Sequence, residues 1–424
     1  MKRKRELSVE SLLGQGSYGK VYKVTYDDGL YACKVLKHED SYDLTDFFKT
    51  SFREIFYGNF VGILSDAKDM VLGGLLELGL ASFRTCKVSE GALRTLKDIC
   101  VQLNGLHSNG ILHHDIKPDN LILYETKHEL ADFSLSVRGP VIHDTNVYTV
   151  WYRAPEVLLG QSHTVQADIW ALGITFLHLL LGRPVFRDTT PEGALTSIIR
   201  LFGTQHYEPL VQKFGHRPGM LDKLVSPEAF AFLEKMLRVN PGLRISSKDL
   251  VHDPFWTGPG DAVVFYSTEE PTTDTLDYAI QDVPVLFKRV PLLIRVRIFD
   301  IFVKACDAFR VSKRQLMTAY YFWDTIMSSG MPWYAACFFA ALCIECETVP
   351  DLQEIIDYFK ISRDALVSCC FALPTLTRAP GHLDLDELQI YAIVEHPKAW
   401  FQRSEREATK VLGLTKTRAT FLLL

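Results

Sequence analysis

Asp115, Lys117 and Asn120 stand within six positions of one another in the run HHDIKPDN, and the run ADFS supplies Asp132 twelve residues later. This set suits metal-assisted phosphoryl transfer. Asp115 would accept or orient the proton of an attacking hydroxyl, and Lys117 would steady the transferred group. Asn120 and Asp132 would hold magnesium ions that neutralise the developing charge. Any one of these residues alone reads equally well as loop decoration in solvent. Upstream, Gly14, Gly16, Gly19 and Val21 follow the spacing GxGxxGxV. Alone, that spacing fits a dinucleotide-binding turn, a plain hairpin or a flap over phosphates. A dinucleotide turn opens a helix, whereas KVYKVTY continues as a strand, which favours the flap. Lys34, in YACKVL, is followed twenty residues on by Glu54 in DFFKTSFREIFYG. A surface lysine is the plain alternative to one that pairs with α- and β-phosphates and is held by a helical glutamate.

Positioning these groups requires strands first and helices after. SVESLLG, KVYKVTY and LYACKVL read as short strands with glycine-rich or Asp-Asp-Gly turns between them. From about residue 89 the apolar spacing becomes helical, as in ALRTLKDICVQLNGLH. ILHHD, NLILY and ELADFS interrupt it as strands and loops, and helices dominate again to about residue 256. A small β-rich lobe followed by a larger helical lobe is expected. Residues 257–287 are rich in Gly, Pro, Thr and acid, as in a linker or surface strap. Residues 288–373 return to helical patterning in five segments, and 374–424 form a polar tail with no evident role.

The chain has 424 residues, enough for two or three domains, and a formal net charge of −5. That balance gives no general drive toward nucleic acid or an anionic membrane. The basic start, residues 1–7, reads as a nuclear-localisation patch or a solvated terminus and lacks a secretory core. The apolar run ITFLHLLLG is shorter than the roughly 20 residues a bilayer needs. Nine scattered cysteines suit a reducing, intracellular setting, cytoplasmic or nuclear. Cys343 and Cys346 have CxxC spacing, with Cys369 and Cys370 beyond, but buried helical positions explain them better than a metal site.

Together with WYRAPE at 151–156 and DIWALG at 168–173, the ordered motifs resemble the eukaryotic protein kinases over residues 8–256. The resemblance implies a bilobal α+β fold, 8–79 and 80–256, using ATP and Mg2+. It also implies nucleotide contacts at Glu77 and Leu78 beside Gly14, Gly16, Gly19, Val21, Lys34 and Asp132. KTSFREI at 49–55 resembles the helix of cyclin-dependent kinases that cyclins grip, and TVWYRAPEVLLG is similar to that branch's activation-segment ending. That likeness implies substrates with Ser-Pro or Thr-Pro sites, a P+1 pocket shaped by Val147, Tyr148 and Val150 near Arg153, and an ion pair between Glu156 and Arg244. Ser17 and Tyr18 match the family's inhibitory phosphoacceptors, although ordinary flap residues are an equal reading.

Two departures bear on regulation. The family's HRD is HHD here, so His114 replaces the arginine that binds an activating phosphate, and Asp144 stands at the phosphorylated threonine's position. Asp144 facing Arg53 and His114 would be a built-in partial substitute, with one charge against up to about two for phosphate. Alternatively Asp144 is solvated and Thr145 takes the phosphate. Ser134 replaces the DFG glycine, which should restrict flipping of that segment.

Residues 288–373 resemble a cyclin box in RVRIFDIFVKACDAFRVSKRQLMTAYYFWD, with Arg295, Asp300 and Asp324 at matching positions. The lysine and glutamate that cyclins present to the kinase correspond to Cys343 and about Cys369, so docking would rely on apolar contact, with Phe52 and Phe56 as knobs. The expected whole is a bilobal kinase fold followed by an all-α cyclin-like domain. A flexible linker of roughly 30 residues spans about 30 Å and gives an effective concentration on the order of millimolar. Docking within the chain is thus feasible, and exchange between two chains is the dimeric variant. A scaffold lacking catalysis, a kinase needing a separate cyclin and an unrelated C-terminal helical domain stand as alternatives.

Overall fold

A computed structural model describes residues 7–16, 19–26, 29–36, 44–58, 60, 62–65, 71–259, 270–271, 279–281, 292–326 and 330–376. The flap residues Ser17 and Tyr18, the turn at 27–28, the basic start and the tail beyond 376 lie outside the described residues.

The strand-rich start folds as an antiparallel sheet. β1 (Leu7–Gly16), β2 (Gly19–Tyr26), β3 (Gly29–Leu36), β4 (Gly62–Ser65) and β5 (Val71–Glu77) run in the order β1-β2-β3-β5-β4. Alternation drives this: Tyr22, Val24 and Tyr26 of β2 are buried on one face with Cys33 and Leu75. The segment read as a linker contributes two further strands, Glu270–Pro271 beside β1 and Ala279–Gln281 beside β4. They cover both edges of the sheet, and a proline is tolerated there because an edge strand need not donate on both sides.

Between β3 and β4 lies α1 (Leu44–Tyr57). The helical lobe follows, centred on α2 (Lys97–Ser108) and α3 (Gln166–Leu181), with every residue of α3 from Ala167 to Leu179 buried. Short strands carry its loops: β6 (Ala81–Ser82), β8 (Leu121–Leu123) and β9 (His128–Leu130) form one sheet, and β7 (Ile111–Leu112) pairs with β10 (Val137–Arg138).

Among the described residues after 281 stand five helices: α4 (Leu292–Phe309), α5 (Lys313–Ile326), α6 (Met331–Glu345), α7 (Leu352–Phe359) and α8 (Arg363–Leu376). α6 is buried all round from Tyr334 to Glu345, because its alanines and cysteines let neighbours approach on every side. The nine cysteines are free thiols, eight of them buried and Cys346 partly so.

These helices pack on α1. Phe48, Phe52 and Phe56 recur every fourth residue and form one stack down α1. Phe56 meets Phe322 of α5 at 4.7 Å, and Phe48 meets Phe339 of α6 at 6.3 Å and Phe371 of α8 at 4.9 Å. Of the two knobs expected from sequence, Phe56 reaches across, whereas Phe52 stacks within α1 between its neighbours. Polar bonds follow the same seam. Arg53 Nε donates to the Cys343 carbonyl (2.8 Å) and Nη2 to that of Cys346 (2.7 Å), and the Tyr57 hydroxyl donates to Ile344. The last carbonyls of a helix lack partners within it and carry its negative dipole end; α1 supplies that cap for α6.

Truncating Phe48, 2% exposed, should leave a cavity at the junction of α1, α6 and α8. Phe48→Ala is expected to cost about 3–5 kcal/mol, read as a lower urea midpoint of the full chain.

Candidate active site

One row of residues crosses the sheet beneath the glycine flap. Gly14 pairs with Val21, Val21 with Lys34, and Lys34 with Gly74. Directly opposed residues of an antiparallel sheet share a face, so Val21 and Lys34 project together. Gly73 is needed beside them: a Cβ there would lie 1.9 Å from the Lys34 carbonyl oxygen, pushing β5 off β3 at the lysine. A Cβ at Gly14 or Gly16 would meet no protein atom within 4 Å. Packing within the protein therefore does not require those two glycines, which fits a flap that makes room for a ligand. Glu77 ends β5 opposite Tyr31, exposed and 3.6 Å from Lys127. Leu78 follows it where the chain crosses to the helical lobe.

Lys34 joins three elements. Its ammonium lies 2.8 Å from Glu54 Oε1 on α1 and 2.8 Å from Asp132 Oδ1. Burial alone would lower its pKa, but Asp132 and then Glu54 outweigh that and raise it. Burial pushes the Glu54 carboxyl up against the opposing pull of Lys34. For Asp132 burial acts upward too, yet the Lys34 charge and hydrogen bond hold it well below the usual carboxylate range. Ser134 Oγ donates to Asp132 and lies 3.3 Å from Glu54 Oε2. The serine in the glycine position thus places its one hydroxyl proton between the two carboxylates, on Asp132. Asp132 itself has φ +66°, a left-handed conformation maintained by these contacts.

The loop after β7 gathers the second cluster. Asp115 Oδ2 accepts from Lys117 Nζ (2.6 Å) and Asn120 Nδ2 (3.0 Å). Asp115 Oδ1 accepts from Thr149 Oγ1 (3.0 Å), and Lys117 also reaches that hydroxyl (3.1 Å). Asn120 Nδ2 bonds the Asp115 carbonyl as well (2.8 Å), so its amide oxygen is the atom left for a metal. On Asp132, Lys34 and Ser134 both take Oδ1. The donors for a cation are then one carboxylate oxygen and one amide oxygen, hard ligands that suit Mg2+ when phosphates complete its shell. Among the described residues no group of three or more His, Cys, Asp or Glu could form a protein-only metal site.

In the segment from Asp132 to Glu156, Tyr148 has φ +61°, and Arg153 Nε binds its carbonyl at 2.9 Å. Val147 is buried and Val150 half-buried beside it. Glu156 and Arg244 form the expected pair, bidentate at 2.7 Å and buried.

The regulatory expectation for Asp144 needs correction. Arg53 spends its bonds on the α6 carbonyls instead. His114 is buried, its Nδ1 3.1 Å from the Leu135 carbonyl and its Nε2 3.0 Å from His163 Nε2. Asp144 Oδ1 accepts from the Asn146 N–H (2.8 Å) in a local turn and acts on Arg53 only through space. Thr145 is half-buried next to it. A carbonyl can only accept, so His114 carries its proton on Nδ1 and His163 must donate between the two rings. Burial disfavours the charged form of both rings.

Sequence reasoning passed over several contributors. Asp168, quoted only within DIWALG, accepts from the His113 and His114 N–H groups, His107 and the Tyr148 hydroxyl. Its position in that motif was the available signal. Thr149 had none, and neither did Arg138, Glu345 and Glu347, whose contacts join segments some 200 residues apart.

Two linked clusters, a lysine–glutamate–aspartate triad under a glycine flap and an Asp-Lys-Asn loop, define a phosphoryl-transfer site between a sheet lobe and a helical lobe. Residues 69–256 match the protein kinase domain. Cell division control protein 2 homolog 3 of Trypanosoma brucei brucei is 30% identical over 282 residues, covering 58% of this chain and 90% of that protein. Cyclin-dependent kinase B2-1 of Oryza sativa subsp. japonica is 34% identical over 176 residues, 37% of this chain and 54% of that protein, about half its length. The chain belongs to the protein kinase family, distantly related to the cyclin-dependent kinases. A kinase domain implies ATP and Mg2+. No helix among the described residues is long and apolar enough to cross a membrane.

The two histidines set a pH dependence. Burial lowers His114 to about 3 and lowers His163 as well. The unfolded chain, with histidines near 6.5, takes up protons first, so stability is full above about pH 6.5 and falls as pH drops toward 3. Between pH 6.5 and 5, where most carboxylates stay ionised, urea denaturation should show a loss from His114 approaching about 1.4 kcal/mol per pH unit, with His163 adding in the same direction. His114→Gln should flatten that slope.

Proposed function

We propose that this kinase transfers the γ-phosphoryl group of ATP to serine or threonine followed by proline, and that its own C-terminal helices act as a cyclin-like activator. The observation that carries the reading is the double engagement of α1. It brings Glu54 to Lys34 at 2.8 Å, while Arg53, Tyr57, Phe48 and Phe56 hold it to α5, α6 and α8. In this reading residues 8–256 are the kinase domain, 257–287 the connection and 288–373 the activator. The rice relative is named a cyclin-dependent kinase, which agrees with a cyclin-like activator for this chain.

When bound, ATP supplies the phosphoryl group and Mg2+ neutralises its charge; Asp132 and Asn120 would hold the ion. Lys34, fixed by Glu54, would orient the α- and β-phosphates, and Asp115 would take the hydroxyl proton with Lys117 alongside. Selection of proline follows from Tyr148. Its carbonyl is occupied by Arg153 and its backbone is turned to positive φ, so it offers no acceptor to the N–H of the residue after the phosphoacceptor. Proline has no N–H to leave unsatisfied, whereas any other residue would lose a hydrogen bond on burial.

The test is phosphorylation by phosphate-free full chain without added cyclin, on matched Ser-Pro and Ser-Ala peptides. The Ser-Pro peptide should be preferred, and Asp132→Asn should lower kcat by about a hundredfold or more. Equal rates on the two peptides would remove proline direction, and activity retained in Asp132→Asn would remove the assigned chemistry.

A further inference from the structure

The activation segment is tied to the C-terminal helices by two carboxylates. Glu345, the last residue of α6, lies with its Oε1 2.7 Å from Arg138 Nη1, and both side chains are buried. Thr318 Oγ1 donates to the same oxygen at 3.1 Å, and Arg314 Nε lies 3.0 Å from Oε2. Two residues on, Glu347 Oε1 accepts the backbone N–H groups of both His143 and Asp144.

A carboxylate at a helix C-terminus is electrostatically unfavourable, since it adds to the negative end of the dipole. Burial makes it more so unless it is paired. Glu345 is tolerated because Arg138, Arg314 and, through the neighbouring carbonyls, Arg53 converge on that end. The guanidiniums around the activation segment each hold a partner already. Arg53 binds carbonyls of α6, Arg138 binds Glu345, and Arg153 binds Tyr148. His114, which takes the arginine's place in the family's HRD motif, has its charged form disfavoured by burial. Lys49, half-buried on α1, and Arg153 also sense the Asp144 charge.

The two anchor points lie at useful places. Arg138 belongs to β10, which pairs with β7 directly ahead of His113, His114 and Asp115. His143 and Asp144 precede Val147, Tyr148 and Thr149, and the Thr149 hydroxyl bonds Asp115. Fixing both points fixes the stretch between the metal-binding Asp132 and the peptide shelf.

We propose that Glu345 and Glu347 are positioning residues for catalysis: carboxylates from the C-terminal helices hold the activation segment as a phosphate would, making peptide phosphorylation independent of modification at Thr145. This rests on the reading of the chain as an active kinase with its activator in the same polypeptide. The nucleotide site is built separately, from Lys34, Glu54 and Asp132, so the clamp should act on peptide turnover and leave ATP binding alone.

The test uses phosphatase-treated full chain on the Ser-Pro peptide, with KM for ATP measured in parallel. Thr145→Ala should match the unsubstituted protein. Glu345→Gln and Glu347→Ala should each lower peptide kcat/KM about tenfold, within the range of coupling between two sites, with KM for ATP unchanged. Arg138→Gln combined with Glu345→Gln should be no worse than either alone, as for residues acting as one unit. Where Glu345→Gln fails to fold, Glu347→Ala decides, because that side chain is only partly buried. Full peptide activity in folded Glu345→Gln or Glu347→Ala overturns the proposal. So does a phosphate-free chain that is inactive and becomes active on Thr145 phosphorylation, an outcome that leaves the kinase reading intact. A chain inactive with and without that phosphate would instead remove the kinase reading beneath it.

Discussion

A buried ammonium needs partners, and Lys34 takes both of its partners from outside its own sheet. Glu54 comes from α1 and Asp132 from the loop that follows β9, so the three charges can be satisfied only when α1 sits close against the sheet. Removing Lys34 would leave two carboxylates without their cation in the interior, and breaking a buried pair this way typically costs about 3–5 kcal/mol. The ion triad therefore makes the position of α1 a condition for the rest of the site. Ser134 tightens the condition by placing its hydroxyl between the two carboxylates.

What fixes α1 lies on its other side. The phenylalanines at 48, 52 and 56 cannot face water, and the helices that cover them come from the far end of the chain. The carbonyls ending α6 need donors, and Arg53 and Tyr57 of α1 provide them. Each surface supplies what the other lacks: apolar cover for α1, a positive cap for α6. Because the helices share one polypeptide, no encounter between separate chains is needed to bring them together.

The spatial grouping of the candidate site residues was legible because they sit at short, fixed spacings within single loops. Asp115, Lys117 and Asn120 hydrogen-bond one another across five positions, and the Lys34–Glu54 pair needs only one strand and the next helix. The strands and helices were legible for a similar reason, since alternation in GKVYKVTY and fourfold spacing in DFFKTSFREIF are local patterns. Regulation was less so. Reading Asp144 as the partner of Arg53 assumed that the guanidinium was waiting for an anion, whereas it caps a helix 290 residues away. The run KTSFREI pointed to a helix that a partner grips, but nothing in it records that Arg53 would bond the carbonyls of Cys343 and Cys346. Glu345 and Glu347 were hidden likewise, as were the strands at 270–271 and 279–281, too short to show a period. Of the cysteines read as buried helical residues, Cys343, Cys369 and Cys370 are buried in helices, whereas Cys346 is partly exposed just past the end of α6.

The central claim is that the C-terminal helices seat α1 and thereby complete the site. Amide hydrogen exchange over residues 44–57, in phosphate-free full chain and in Arg53→Ala, tests it most directly, because protection reports whether the helix is held. The account predicts strong protection of α1 in the unsubstituted chain and its loss, together with peptide phosphorylation, in Arg53→Ala. An Arg53→Ala chain whose α1 stays as protected and whose activity is undiminished would contradict it.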